Sequence, residues 1–417
     1  MKEAVLFLEP KGTIMEVVRV AHERGYYVAA ITCDPTILET LSSPYDSARS
    51  CINETIEIKS WEDKDRIFAI IERIHAVTPV KGVYFGLDAT AVLGTEIRRK
   101  FGLPSPSREA MENIIDKHVL RSKLRERGLS NLKSFHGSEV DGWTEWPNIG
   151  AVYFKPVRGA FSLYVKRCEN LEELKQAKTV WQKAADPAPA YIRQYLNSKK
   201  EYHVEEAFDG ELLSVEGISF KGEFQCIGLT SRILYSKDPT VEMGSCFPYP
   251  HSLASQIIDQ VKKAHMALGF TDGPSHTEVI VNSEGKVEII DFNPRFIGDD
   301  VLQSINNAYG IRIEEVLLDW TVGQIPRFSP KRSLFSCIQY VLPPDALTFQ
   351  CMDFPEAPEV KFHTVFPKPG ARITAADRQI DYLGCYVTVM PSFKSAIERS
   401  RELRSFVKIN GMMEGRY

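Results

Sequence analysis

The sequence predicts a multidomain protein of mixed α/β and α+β class, with an open parallel sheet, a β-rich lid and a small C-terminal module. Three observations carry that expectation. Apolar strands alternate with amphipathic helices up to about residue 108, as in βαβ units. Between 150 and 230 the apolar period becomes two. The chain has 417 residues, more than one hydrophobic core organises. Composition is that of a soluble protein, 43% hydrophobic and 25% charged, and a net charge of −4 offers no broad basic field for nucleic acid or an anionic membrane. No apolar run approaches the roughly 18 residues of a spanning helix. The opening "MKEAVLFLEPKG" reads as a first strand rather than a signal peptide, so a cytoplasmic enzyme is expected. The 8 cysteines form no C-x-x-C pair and the 9 histidines no H-E-x-x-H, which argues against zinc and redox chemistry.

In chain order, "EAVLFL", "YYVAAIT" and "VKGVYFG" are expected strands, "IMEVVRVAHERG" and "WEDKDRIFAIIERIHAV" are expected helices between them, and "LDATAVLGTEIRRKFGL" follows. The first strand is not followed by G-x-G-x-x-G, which argues against a dinucleotide site. Pro104 and Pro106 mark a linker, Ser107 is placed to cap a helix, and two short helices meet at Asp116-Lys117. Six period-two segments follow: "AVYFKPV", "SLYVKR", "AYIRQYL", "EYHVEEAF", "ELLSVEGIS" and "EFQCIGLT", the last three joined as hairpins by "FDGE" and "FKGE". Next come the helix "SLASQIIDQVKKAHMALG" and the strands "SHTEVIVN" and "KVEIIDF" around "SEG". From about 331, "LFSCIQYVL", "GCYVTVMP" and "SFKSAIERSRELRSFV" suggest the α+β module. The expected division is 1–108, 109–330 with the lid at about 150–230, and 331–417.

Chemistry concentrates at the strand end "GKVEIIDFNPR". Glu278 and Asp291 lie 13 positions apart across a tight turn, which brings them side by side on adjacent strands. Asn293, two residues on, shares the face of Asp291. Two carboxylates and an amide oxygen are hard ligands suited to Mg²⁺ bridging phosphates, and two unmetallated acids so close repel. Taken alone, the pair reads equally as solvated hairpin acids. Arg295, again on that face, suits a reacting carboxylate or a phosphoryl in transit; in isolation it reads as a surface arginine. Lys117 follows Asp116 between the short helices. Lys155 ends a core strand before a loop with Gly159 and Ser162, an arrangement that holds phosphate oxygens. An extended backbone at Gln194, Tyr195 and Leu196 suits an adenine edge and Glu201 a ribose, against the alternative of a plain edge strand.

Taken in order, these segments resemble the ATP-grasp ligases over residues 1–330, and the tail resembles the capping module of some relatives. "LPSPSREAMENIIDKHVLRSKLRERGL" is similar to the entry to that fold, "YFKPVRGAFSLYV" to its phosphate-loop strand, "RQYLNSKKEYHVEE" to its hinge, and "HTEVIVNSEGKVEIIDFNPR" to its metal-binding hairpin. Within the superfamily the chain most resembles the L-amino-acid ligases that make dipeptides. The resemblance implies ATP and Mg²⁺ as cofactors, with Mn²⁺ a possible substitute. It implies Glu278, Asp291 and Asn293 as metal ligands. Lys117, Lys155, Gly159 and Ser162 would lie at the phosphates, Gln194, Tyr195 and Leu196 at adenine, and Glu201 at ribose. Arg295 would anchor the carboxylate that is phosphorylated, and Glu242 in "VEMGSCFPYP" would orient the attacking amine. Expected partners are small carboxylate and amine substrates, without nucleic acid or membrane, in a homodimer. Other readings are a carboxylase or nucleotide-biosynthetic amidating enzyme of the same fold, or a nucleotide binder without catalysis. The sequence departs from the family pattern at Asp291 (often Glu), Gln194 (usually Glu), bulky Phe161, Leu163 and Tyr164 in the phosphate loop, Ser245 (often His), and Asp299 and Asp300 after N-P-R. The last two acids would favour a cationic amine or, twice as readily, be solvated.

Overall fold

The computed structural model describes residues 2–39, 45–160, 162–183, 190–197, 200–235, 238–298, 300–343, 345–373 and 382–413. The N-terminal sheet is fully parallel, in the spatial order Glu54–Glu57, Tyr27–Thr32, Ala4–Leu8, Val80–Phe85. Its central strand Ala4–Leu8 is apolar at every position because helices cover both faces, so no residue has a solvent side. The helices Ile14–Glu23, Lys64–Val77 and Asp88–Lys100 form as the sequence pattern requires. At the edge of this unit the Arg98 guanidinium is buried, 3.9 Å over the Trp320 ring. It donates to the carbonyls of Val83 (2.8 Å), Trp320 and Thr321 (both 3.0 Å), which fastens the sheet to the helix Ile313–Thr321.

Ser107 caps the helix Arg108–Ile115 by accepting from Ala110 N at 3.0 Å, as the sequence predicts. Asp116 does the same for the helix Lys117–Glu126, which sets Lys117 at its first turn. The period-two stretch then divides between two antiparallel sheets. One has the order Ser134–His136, Tyr202–Glu206, Val152–Pro156, Lys166–Cys168; the other has Glu223–Ser231, Glu211–Phe220, Gly273–Val281, Val287–Asn293. Three local expectations are therefore corrected. The turn at "FKGE" closes a hairpin, but the segment after "FDGE" leaves Tyr202–Glu206 for the other sheet. Only Lys166–Cys168 of the "SLYVKR" region is strand, because Ser162 and Tyr164 adopt positive φ and turn the chain. Residues Ala190–Asn197, expected to be extended, are helical. Their apolar pairs recur every four residues and bury Tyr195 and Leu196 on one side.

The C-terminal segment completes a sheet begun earlier in the chain. Its order is Ile233–Tyr235, Asp238–Phe247, Phe335–Val341, Gly384–Met390, Val360–Val365, so the strand carrying Glu242 pairs directly with residues beyond 331. The helix Phe393–Arg404 packs on that sheet, capped by Ser392. No helix among the described residues is long and apolar enough to cross a membrane.

Two buried polar features hold the middle of the molecule. Arg121 lies between two carboxylates, with Nε 2.7 Å from Glu205 and Nη1 2.8 Å from both Glu288 and Ser130 Oγ. This ties the helix Lys117–Glu126 to both antiparallel sheets. His265, on the helix Ala254–Leu268, is held between Ser219 Oγ (2.8 Å) and Ser275 Oγ (3.0 Å), against Phe224, Phe270 and Phe292.

Each feature gives a stability prediction. Arg121→Met leaves Glu288 without its buried cation and Glu205 with Lys155 alone of its two, and is expected to destabilise by about 3–5 kcal/mol in denaturant unfolding. Burial pushes the His265 imidazole down to about 3. The folded protein thus leaves it neutral while the unfolded chain protonates it near an ordinary pKa of about 6.5. The unfolded state binds the extra proton, so stability falls as pH drops from about 6.5 toward 3. Between about pH 7 and pH 5 this group accounts for roughly 2 kcal/mol, and His265→Gln should remove that part of the slope.

Candidate active site

A cavity of about 590 Å³ opens at the carboxyl ends of the parallel strands, walled on the other side by the acidic hairpin and the 152–168 strands. Glu278 and Asp291 are direct register partners across that hairpin, as the spacing predicts. Asp291 faces the ammonium of Lys117, which sits beside it at the start of its helix. Burial lowers the Lys117 pKa, but Asp291 outweighs it and the net shift is upward. Burial likewise raises the Glu278 carboxyl, but the bond and charge of His276 overcome it and hold Glu278 at about 2. His276 Nε2 lies 3.3 Å from Glu278 and its Nδ1 2.9 Å from Glu216. Burial alone would lower this imidazole, yet Glu216 and Glu278 bring it to about 9.

Arg295 enters the same cavity through N-P-R. Its Nε donates to Asp88 Oδ2 at 3.0 Å and its Nη2 to Asn293 Oδ1 at 3.5 Å. Asp88 begins the helix Asp88–Lys100, so the pair bridges the parallel sheet and the hairpin. Glu242 lines the cavity and accepts from Arg232 Nε at 2.7 Å; burial raises its pKa despite that partner. Lys155, at the end of its strand, donates to Glu205 at 2.8 Å. Burial raises the Glu205 carboxyl, but Arg121 and then Lys155 reverse this and leave it far below the ordinary range. Gly159 and Ser162 line the cavity beside Lys117, while Phe161 lies outside the described residues.

The structure therefore gathers Lys117, Lys155, Gly159, Ser162, Tyr195, Glu242, Glu278, Asp291, Asn293 and Arg295 around one cavity. It does not bring Gln194, Leu196 or Glu201 to that wall. The Gln194 side chain instead donates to the Lys59 carbonyl at 3.2 Å and docks its helix on the N-terminal unit. Leu196 is buried in the core, and Glu201 faces His136 at 3.5 Å. The extended adenine hinge is thus corrected to a helix whose backbone groups bond along its own axis. Asp300, expected as a solvated acid, is buried and accepts from the Tyr45 hydroxyl and from Cys385 Sγ at 3.1 Å; Asp299 lies outside the described residues. Sequence reasoning missed Asp88, Arg232, His276, Glu205 and Glu216. His276 and Glu216 carried a usable signal, since each places a polar group at an inward position of a buried strand.

Residues 150–304 match the ATP-grasp domain family. Two alanine–anticapsin ligases are similar: that of Bacillus amyloliquefaciens is 22% identical over 53% of this chain and 49% of its own length. That of Bacillus subtilis is 22% identical over 62% and 59%. The match thus spans only about half of those curated relatives. Among solved structures, the L-amino acid ligase of Bacillus licheniformis superposes with a TM-score of 0.78 at 19% identity, covering 98% of this chain and 99% of that one. Phosphoribosylglycinamide synthetase of Anaerococcus prevotii gives 0.69 at 15% identity, with coverages of 98% and 99%. The acidic hairpin and N-P-R fall inside the segment that matches the ATP-grasp domain family, and the chain as a whole has the ATP-grasp fold.

Proposed function

We propose that the protein is a cytoplasmic ATP-dependent ligase that joins the carboxylate of an amino acid to an amine through an acyl phosphate. One observation carries this reading. Two register-paired carboxylates, two lysines and a guanidinium from separate segments converge on one cavity. The alanine–anticapsin ligases and the L-amino acid ligase named above support the substrate class.

The residues fit a divalent cation of the Mg²⁺ type. Glu278, Asp291 and Asn293 supply two carboxylates and an amide oxygen, all hard donors on one sheet face. An ion held there would complete its shell with phosphate oxygens and water. When bound, Mg²⁺, or Mn²⁺ in its place, would neutralise the triphosphate and orient it.

The chain's own residues do the rest. Lys117 and Lys155 turn from Asp291 and Glu205 to phosphate oxygens. Arg295 holds the substrate carboxylate, whose oxygen attacks the γ-phosphorus and releases ADP. Glu242 orients the amine, whose nitrogen attacks the acyl carbon as phosphate departs, and one N–H proton passes to the departing phosphate. Positioning and charge stabilisation supply the rate without a covalent enzyme intermediate. The sheet carrying Lys155 covers the acyl phosphate and excludes water.

A phosphate-release screen of amino-acid pairs with Mg·ATP tests this. Native protein should release phosphate only when both an acid and an amine are present. Arg295→Ala should bind ATP with unchanged affinity and lose about 100-fold or more in turnover. Normal turnover by that variant would refute the role given to Arg295.

A further inference from the structure

One of the hairpin acids, Glu278, is held by a group that the reaction itself does not use. His276 stands two residues before Glu278 on one strand, so both side chains point to the cavity face. Its ring spans two carboxylates, with Nδ1 2.9 Å from Glu216 Oε2 and Nε2 3.3 Å from Glu278 Oε1. Glu216 is opposite His276 in the register with the strand Glu211–Phe220 and is fully buried. Its Oε1 accepts from the Ser214 hydroxyl at 2.6 Å and the Thr230 hydroxyl at 2.9 Å. The backbone carbonyl of His276 also accepts from Asn293 Nδ2 at 3.3 Å, which turns the amide oxygen of Asn293 away from the strand.

A buried carboxylate is a poor packing group, because its desolvation costs several kcal/mol unless donors surround it. Here two hydroxyls and an imidazole are spent on one carboxylate that, among the described residues, is not one lining the cavity. The arrangement makes sense if its output is the orientation of something that does reach the cavity. That output is Glu278 through the ring and Asn293 through the backbone. We infer that Glu216 and His276 are positioning residues that fix the Glu278 carboxylate and the Asn293 amide for the metal–nucleotide complex. This rests on the ligase reading, and it assigns the relay no proton transfer and no contact with substrate.

Titration of Mn²⁺ in the presence of ADP, followed by the loss of free-ion electron paramagnetic resonance signal, tests it directly. Glu216→Gln and His276→Gln should each weaken Mn²⁺ binding about 10- to 100-fold, the usual effect of removing a partner that orients a metal ligand. Their affinity for ADP in metal-free buffer should stay unchanged. His265→Gln, which disturbs a comparably buried histidine bonded to the same two strands from the helix Ala254–Leu268, should lower stability and leave Mn²⁺ affinity as it is. If Glu216→Gln does not fold, Thr230→Val removes one donor at equal volume and should show the same shift, reduced to a few-fold. Folded Glu216→Gln and His276→Gln that bind Mn²⁺·ADP as native protein does would overturn the positioning role alone. Native protein that takes up no Mn²⁺·ADP would overturn the ligase reading and this inference with it.

Discussion

The site depends on one electrostatic constraint: two carboxylates placed opposite each other on neighbouring strands must be neutralised locally. Glu278 and Asp291 share a register position, which puts their β-carbons roughly 5 Å apart. At such partly buried positions, like charges at that range repel by about 3 kcal/mol. Each acid therefore carries its own cation, Lys117 against Asp291 and His276 against Glu278. The two cations reach the hairpin differently. His276 comes from the same strand and is locked by Glu216, whereas Lys117 comes from a helix start 174 residues before Asp291. A fixed partner keeps one carboxylate aimed, and a flexible one can leave when a stronger anion arrives.

The same constraint explains why the parallel sheet matters although it has no nucleotide fingerprint. Its strands end at the cavity, where Asp88 meets Arg295 at 3.0 Å. Burial lowers the Arg295 pKa, yet Asp88 outweighs it, so the guanidinium stays charged where substrate would arrive. The Arg98 contacts with Val83, Trp320 and Thr321 hold that sheet against the rest of the molecule, and so fix the distance from Asp88 to the hairpin. The crevice outside the carboxyl ends of a parallel sheet here becomes one wall of a site completed by other sheets.

The hairpin, the Ser107 cap, the parallel strands and the gathering of most candidate residues at one cavity were legible in the sequence because their signals are local. A turn of three residues between two apolar strands leaves little freedom in which carboxylates meet. The stretch 190–197 was misread because it was grouped with period-two segments, while its apolar pairs satisfy a helix; the element before it, Leu171–Lys183, is a helix and the one after it, Tyr202–Glu206, a strand. Buried charge was illegible for a different reason. Arg121 finds Glu205 and Glu288 at separations of 84 and 167 residues, and nothing near Arg121 announces either. The C-terminal boundary was likewise hidden, since the strand Asp238–Phe247 takes its partner from Phe335–Val341.

That buried network also decides how Lys155 can serve the proposed reaction. If Lys155 were the sole partner of Glu205, drawing it toward a phosphate would strand a buried carboxylate at a cost of about 3–5 kcal/mol. Glu205 instead divides its oxygens, Oε1 to Lys155 and Oε2 to Arg121, at 2.8 and 2.7 Å. Arg121 is itself steadied by Glu288 and Ser130, so it stays when Lys155 goes. The carboxylate keeps a short charge-assisted bond, and the exchange of Lys155 from carboxylate to phosphate is close to balanced. A lysine held this way is charged, pre-aimed and releasable, which a lysine paired one-to-one in the core would not be.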